Sequence, residues 1–495
     1  MIHPYTILHE NLKYEKYFTF RKGACKIGLD HFFVPSKLQD KVKYLKISKT
    51  NFGGSGHRTV ELTLTNVFEN PMGKKKYDEI CKETWEDTEF KLSIEQKIEE
   101  LNANFSIHKY EIFRNETFLL AAKLSKKLTT TNKQQICSKR VDWKKAVENI
   151  LPAIDIETDN RKMLVKTHDF FKQKFLNNEN LDEYNDDMFI TNSMMKKLSS
   201  IDSKSLDMEF TIEEIKDVIN KLPAISKSVG PDKISNDLIK YIGFDKILMN
   251  IGNLLLKGEK LPVSMGKTFI RLIYKKENRN SLLNHRPICL LSLSYKIIAK
   301  IVSDRLQKVL GTIISEHQEA YKINGNGYLH SKKIQEMMMG NISKNAKNIL
   351  LKTDFIEAFD KIYHRYICNL LKYANFPERI ILLINTMISE LKGSVIVNYS
   401  KTMEFDMQRG VIQGSPLSSL LYILTLEPLI NNVLKEGGLG GFKLSDTIIP
   451  LCCFADDLFI ITTIEWLHKW LKILDWFGRA SGNGAIASSV LLVLR

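Results

Sequence analysis

Three aspartates are the residues best able to do chemistry. Asp456 and Asp457 stand side by side in LCCFADDLFIITT (Leu451 to Thr463), between two apolar, β-prone runs. Asp354 closes the apolar run of ILLKTDFIEAFDKIYH (Ile349 to His364). Carboxylates in a buried strand are costly unless something pairs with them. They therefore either sit at a solvated turn or hold a cation. Both segments read as strands, the first followed soon by a helix, the second carrying its acids at a hairpin tip. If the two strands are neighbours in one sheet, the three acids converge on one point. Carboxylates that close repel one another unless a cation neutralises them. Hard oxygen ligands suit Mg2+. Two such ions about 4 Å apart stabilise the attacking and leaving oxygens of an in-line phosphoryl transfer. ADD taken alone reads more readily as a solvated turn; the strand-end Asp354 about a hundred residues upstream is what favours a cation.

Between the acids lies QRGVIQGSPLSSLLYIL (Gln408 to Leu424), with Gly410, Gly414, a Ser and a Pro ahead of an apolar helical run. Glycine permits close backbone approach to a ligand, and Gln413 offers donors and acceptors together. The same residues also read as a loop-to-helix connection, with Ser415 as cap and Pro416 in the first turn.

The elements around these residues read as follows. RTVELTLTNV (Arg58 to Val67) alternates as a strand, within a β-rich stretch of residues 1–67. Residues 68–209 read as a basic helical linker; Lys123 to Lys145 carries eight basic residues and one acid. TIEEIKDVINKL begins with a capping box, Thr211 with Glu214, and places Ile215, Val218, Ile219 and Leu222 on one helical face. SVGPDKI (Ser228 to Ile234) is a turn and KTFIRLIYKK (Lys267 to Lys276) a strand. SYKIIAKIVSDRLQKVLGTII predicts an amphipathic helix, and NILLKTDF (Asn348 to Phe355) a buried strand ending on an acid.

Composition narrows the function classes. The 495 residues contain 72 Lys+Arg against 57 Asp+Glu, a net charge of +15. Such a basic chain favours a polyanionic partner, nucleic acid before an anionic membrane. Seven scattered cysteines form no CxxC or Cys/His cluster, which argues against a zinc module or a disulfide framework. The first twenty residues lack an apolar signal core. No uniformly apolar run reaches the roughly 18 residues that cross a bilayer. The expectation is an intracellular protein of nucleus or cytoplasm, with no membrane partner.

TDFIEAFDKIYH, RGVIQGSPLSSLLY and FADD, in that order, resemble motifs A, B and C of reverse transcriptases, in particular those of non-LTR (LINE-type) retrotransposons. SKSVGPDKI, LNHRPICLLSLSYKIIAKIVSDRL and HQEAYKINGNGYLHSKKI resemble further family segments upstream, so the similarity covers about 210 to 480. It implies an α+β right-hand polymerase fold: fingers over residues 210–345 and palm over 346–495, with an antiparallel palm sheet packed by helices. By position it implies Asp354, Asp456 and Asp457 as catalytic ligands of two Mg2+, with Mn2+ as the alternative. Arg286 matches the grip on the incoming triphosphate, with Lys275 a second candidate. Phe359 matches the steric gate against a ribose 2′-hydroxyl. Gln413 and Gly414 match the loop that packs against the templating base and nucleotide. The partners implied are an RNA template, a DNA primer and dNTPs.

FTFRKGACKIGLDHFFVPSKL followed by SGHRTVELTL resembles the last strands of an exonuclease-endonuclease-phosphatase domain. Asp30 and His57 keep two of its positions, while Gly56 stands where an Asp belongs. The expectation is an inactive remnant. Asn326 replaces the Arg of the family, and NGAIASSVLLVLR (Asn483 to Arg495) lacks the Lys of motif D. With no thumb after Arg495, the expectation is RNA-directed DNA polymerase chemistry impaired by truncation. The alternative is a non-catalytic nucleic-acid-binding relic of a retroelement. A maturase- or telomerase-like reverse transcriptase fits less well, given the nuclease-like front.

Overall fold

A computed structural model of the chain describes residues 20–22, 25–27, 42–51, 58–64, 82–131, 154, 157–177, 186–223, 230–322, 332, 348–355, 357–398, 400–436, 442–444, 447–449 and 451–493. The chain divides into two units, Met1–Glu79 and Ile80–Arg495. In the first unit, β1 (Phe20–Lys22) pairs with β2 (Cys25–Ile27), and β3 (Val42–Asn51) pairs with β4 (Arg58–Leu64), both antiparallel. The alternating Val60, Leu62 and Leu64 thus do lie on a strand. Asp30 and His57 fall outside the described residues, as do residues 132–145 of the basic stretch.

The second unit is mixed α+β. Its longer helices are α1 (Thr88–Ala103), α2 (Ile107–Thr131), α3 (Asn160–Phe175), α4 (Asp186–Ser193), α5 (Ile212–Asn220), α6 (Phe244–Leu256), α7 (Leu293–Leu310), α8 (His364–Tyr373), α9 (Glu378–Ser389), α10 (Ser418–Lys435) and α11 (Ile464–Ser481). The capping box of α5 forms: Thr211 Oγ1 accepts from the Glu214 N–H at 3.3 Å, and Glu214 accepts from the Thr211 N–H at 3.1 Å. Buried Arg305 of α7 then grips Glu214 at 2.7 Å and also donates to the carbonyls of Met208 and Glu209. One guanidinium thereby ties the start of α5 to α7, and its fork suits that shared task.

Two sheets position the site. The first has the order β10-β8-β5-β6, built from β5 (Lys267–Tyr274), β6 (His285–Leu291), β8 (Lys392–Val397) and β10 (Phe405–Asp406), with β9 (Ser400–Lys401) on β8. β5 and β6 form an antiparallel hairpin, whereas β8 runs parallel to β5. Strands from either side of position 345 therefore share this sheet. The second has the order β13-β14-β7-β15, all antiparallel: β7 (Asn348–Phe355), β13 (Leu451–Phe454), β14 (Asp457–Thr463) and β15 (Ala485–Val493). A short hairpin of β11 (Phe442–Leu444) and β12 (Thr447–Ile449) precedes β13.

Period-two alternation assigns the faces of the second sheet. Leu351, Thr353, Phe355, Leu458, Ile460 and Thr462 share one face, which meets α11. Phe355 packs edge-on against Phe477 at 5.9 Å, and the Trp470 indole donates to Thr462 Oγ1 at 2.6 Å. Lys352, Asp354, Asp457 and Phe459 share the opposite face. Among the described residues no helix is long and apolar enough to cross a membrane.

Candidate active site

β14 pairs with β7 from Thr463 opposite Asn348 to Leu458 opposite Thr353. One further step of that register sets Asp457 opposite Asp354, at the end of both strands and on one face. The ion pair between Lys352 Nζ and Asp457 at 3.5 Å, and the same ammonium over the Phe459 ring at 5.5 Å, show that these side chains share that face. β13 and β14 are joined by a two-residue turn, Ala455–Asp456, with Phe454 opposite Asp457. All three aspartates are exposed. Asp456 stands at the turn, yet protein crowds its carboxyl on one side. That crowding raises its pKa above the ordinary carboxylate value; Asp457 and Asp354 raise it further, against its own amide and Arg286. Asp457 and Asp354 thus both act electrostatically on Asp456.

The donor set, three carboxylates at an open sheet end, is chemically suited to hard divalent cations. Their mutual repulsion is the excess negative charge such an ion would relieve. Among the described residues, however, no three His, Cys, Asp or Glu side chains stand in ligating geometry. Asp457 leans on Lys352 instead, so its side chain has to turn to share a cation with the others.

Arg286 lies on β6 opposite Ile273 of β5, and both it and Lys275 are exposed. Alternation places Arg271, Lys275 and Arg286 on one face of the hairpin. The Lys275 N–H extends the pairing by donating to the Asn284 carbonyl at 2.8 Å. Arg286 is among the charges that act on Asp456.

Phe359 belongs to the turn after β7, where the Asp360 N–H donates to the Glu357 carbonyl at 2.8 Å. The helix expected soon after Asp354 begins only at His364, because this turn intervenes. The Phe359 ring stacks on Tyr422 of α10, centroids 4.3 Å apart and planes 20° inclined. Tyr422 is buried, and Asp456 and Asp354 both act on its hydroxyl, so this stacked pair borders the acids.

Gln413 does not point into open space. Its Nε2 donates to Asp360 Oδ1 at 3.1 Å, and its carbonyl accepts from the Cys289 N–H at 2.9 Å. Asp360 is buried, and burial holds its carboxyl above the usual range, opposed by Lys174 of α3. The Lys174 ammonium lies 3.0 Å from Asp360 and 2.5 Å from Glu357. Gly414 is exposed with φ +124°, and a Cβ there would sit 2.4 Å from the Cys289 carbonyl oxygen. That approach explains the glycine without a ligand, and it also ties the loop to β6, three residues from Arg286. α10 starts at Ser418 with Leu417 as its cap residue, so Ser415 and Pro416 lie in the turn before it. Ser415 Oγ accepts from the Leu417 N–H at 3.4 Å instead.

Sequence reasoning missed Tyr422, Lys174 and Lys352. The first is hidden in an apolar helical run. Lys174 sits in an amphipathic helix and Lys352 in an otherwise apolar strand, and only tertiary contact gives them partners.

Carboxylates from two antiparallel strands thus stand at one exposed sheet end, with an arginine-bearing hairpin among the charges that act on them. Residues 273–482 match the family described as "Reverse transcriptase (RNA-dependent DNA polymerase)". Over 265 residues the chain is 29% identical to the "Transposon TX1 uncharacterized 149 kDa protein" of Xenopus laevis, covering 52% of this chain and 20% of that one. It is 26% identical over 208 residues to the "Retrovirus-related Pol polyprotein from type-1 retrotransposable element R2" of Popillia japonica, covering 42% of this chain and 29% of that one. It is 23% identical over 292 residues to the type-2 R2DM polyprotein of Drosophila melanogaster, covering 57% and 27%. The matched part thus spans under a third of each relative's length. Residues 273–482 form a reverse transcriptase domain homologous to those of non-LTR retrotransposon proteins.

Proposed function

We propose that this chain performs RNA-templated DNA synthesis for a non-LTR retroelement. The observation that supports it is that Asp354, Asp457 and the turn residue Asp456 lie at one end of one sheet, with Arg286 among the charges that act on Asp456. In this reading residues 210–345 supply fingers and 346–495 a palm, with β8 bridging the two. Asp354, Asp456 and Asp457 would hold two Mg2+, or Mn2+ in its place. Such ions would supply charge neutralisation at the transferring phosphoryl group and acidify the primer hydroxyl.

The chain's own residues do the positioning. The primer 3′-hydroxyl attacks the α-phosphorus of a dNTP, the bond to the bridging oxygen breaks, and pyrophosphate leaves. Arg286 grips the triphosphate through its planar fork, and Lys275 adds a point charge on the same hairpin face. Phe359, braced by Tyr422, occupies the volume a ribose 2′-hydroxyl would need. Gln413, pinned by Asp360 and Cys289, fixes the height of the Gly414 backbone beneath the nucleotide. The RNA template and DNA primer are held by backbone charge, so affinity falls with salt. Asp30 and His57 are remnants of a nuclease fold in the first unit. The chain acts in the nucleus or cytoplasm.

The test is primer extension on a primed RNA with dNTPs, in Mg2+ and in EDTA. Incorporation in Mg2+ that disappears with EDTA and in Asp456→Asn supports the reading. Nucleic-acid binding with no metal-dependent incorporation in either arm overturns it. That outcome instead fits a binding relic, the reading favoured by the Lys352–Asp457 ion pair.

A further inference from the structure

The turn that carries Asp456 is held in place from outside its own hairpin. Ala455 has φ +52°, a left-handed conformation that L-residues other than Gly, Asn and Asp rarely adopt. In two-residue hairpin turns this position ordinarily goes to Gly, Asn or Asp. Ala455 is buried, so its N–H and C=O both need partners inside the protein.

Both partners come from one small cluster. The Ala455 N–H donates to Gln318 Oε1 at 3.1 Å. The Ala455 carbonyl accepts from Cys453 Sγ at 3.4 Å. Gln318 Nε2 in turn donates to that sulfur at 3.1 Å, and Gln318 Oε1 also accepts from the Ala320 N–H at 3.0 Å. Gln318 is fully buried, so the amide has no solvent to exchange these bonds with.

The segment carrying Gln318 is itself anchored. It lies parallel to β13: the Cys453 N–H donates to the His317 carbonyl and the Glu319 N–H to the Cys453 carbonyl, both at 2.9 Å. Its start is tied to α10, where buried Glu427 accepts from the Ser315 N–H at 3.0 Å. The Lys322 ammonium closes the segment by donating to the Ser315 carbonyl at 3.0 Å.

We propose that Gln318 is a positioning residue that, with Cys453, fixes the left-handed Ala455 turn and so aims Asp456 for cation binding. Its importance for cations rests on the polymerase reading above; its hold on the turn does not. An unusual backbone conformation persists only where its surroundings over-determine it. Gln318 supplies that constraint with an acceptor no apolar residue of its length can replace.

The experiment uses the full chain and two measurements. Hydrogen exchange reads the Ala455 amide directly, and Mn2+ titration followed by electron paramagnetic resonance reads cation binding without turnover. In Gln318→Met the Ala455 amide loses its protection while amides in α7 and α11 keep theirs. Mn2+ binding weakens on the order of 10- to 100-fold, the usual effect of removing an outer-sphere support. Gln318→Glu keeps the acceptor and retains the protection. Adding Ala455→Gly to Gln318→Met recovers most of the Mn2+ affinity, because glycine adopts the turn without help.

Unchanged Ala455 exchange in Gln318→Met overturns the proposal. Should that variant not fold, the wild type decides: an Ala455 amide exchanging at the unprotected rate overturns it. If exchange responds as expected but the wild type binds no Mn2+, the hold on the turn stands and the polymerase reading falls. If the wild type binds Mn2+ and Gln318→Met binds it equally well, the aiming of Asp456 is overturned while the polymerase reading stands.

Discussion

Phe359 stacks on Tyr422 with ring centroids 4.3 Å apart, and the fields of Asp354 and Asp456 both reach the buried Tyr422 hydroxyl. Under the polymerase reading proposed above, the stack would hold the Phe359 ring in place against an incoming sugar. In Phe359→Ala, incorporation of rNTPs relative to dNTPs should rise about 10- to 100-fold. That is the equivalent of removing an overlap worth 1–3 kcal/mol in a packed site. Single-nucleotide insertion rates for matched rNTP and dNTP pairs read it; an unchanged ratio removes Phe359 from the role of gate.

Asp456 carries a raised pKa, set first by crowding and then by its two acidic neighbours. A raised folded value means its charge is unfavourable, so the penalty grows as pH rises through that value. Asp456→Asn should therefore be more resistant to urea than the wild type at neutral pH without metal. Mg2+ at ten times its Kd should stabilise the wild type by roughly 1.4 kcal/mol and leave the variant unmoved. Equal stabilisation of both proteins by Mg2+ would place the ion elsewhere.

Lys174 sits between Glu357 and buried Asp360, with its own side chain 8% exposed. Lys174→Met leaves buried Asp360 without its ion-pair partner and facing Glu357, which keeps only Lys361 at 3.5 Å. Breaking a buried pair from one side costs about 3–5 kcal/mol. Urea unfolding should show that loss, and Lys174→Met combined with Asp360→Asn should regain part of it. Additive losses would show that Lys174 acts through packing alone.

His364 opens α8 and is buried, with Nε2 3.0 Å from the Gly410 carbonyl. Burial lowers its pKa from 6.5 to about 4. Between those values the unfolded chain binds a proton the folded one refuses, so stability falls as pH drops across that window. The loss approaches 3 kcal/mol, taking about 1.4 kcal/mol for each pH step. Urea midpoints at pH 7, 5 and 4 measure it, and His364→Gln should flatten that part of the slope. A slope identical in the two proteins would show that His364 is not its source.

Much of the site is legible before folding because strands and turns have local signatures. An apolar run ending in Asp354 reads as a buried strand, and it is one; ADD reads as a hairpin tip, and Ala455–Asp456 is one. The capping box of α5 reads from Thr211 and Glu214 alone, since both partners lie within a single turn of helix. The start of α10 does not, because Ser415 and Pro416 are drawn into the turn that presses Gly414 against Cys289.

Residue order thus specified the strands, the acids at their ends, and the reverse transcriptase likeness, all properties of neighbours along the chain. What it left open was which distant groups meet. Tertiary folding alone put Gln318 on the amide of Ala455, Lys174 between Glu357 and Asp360, and Lys352 against Asp457. A hydrogen bond or ion pair depends on separation in space, and period and composition carry no information about that separation once the partners lie many residues apart.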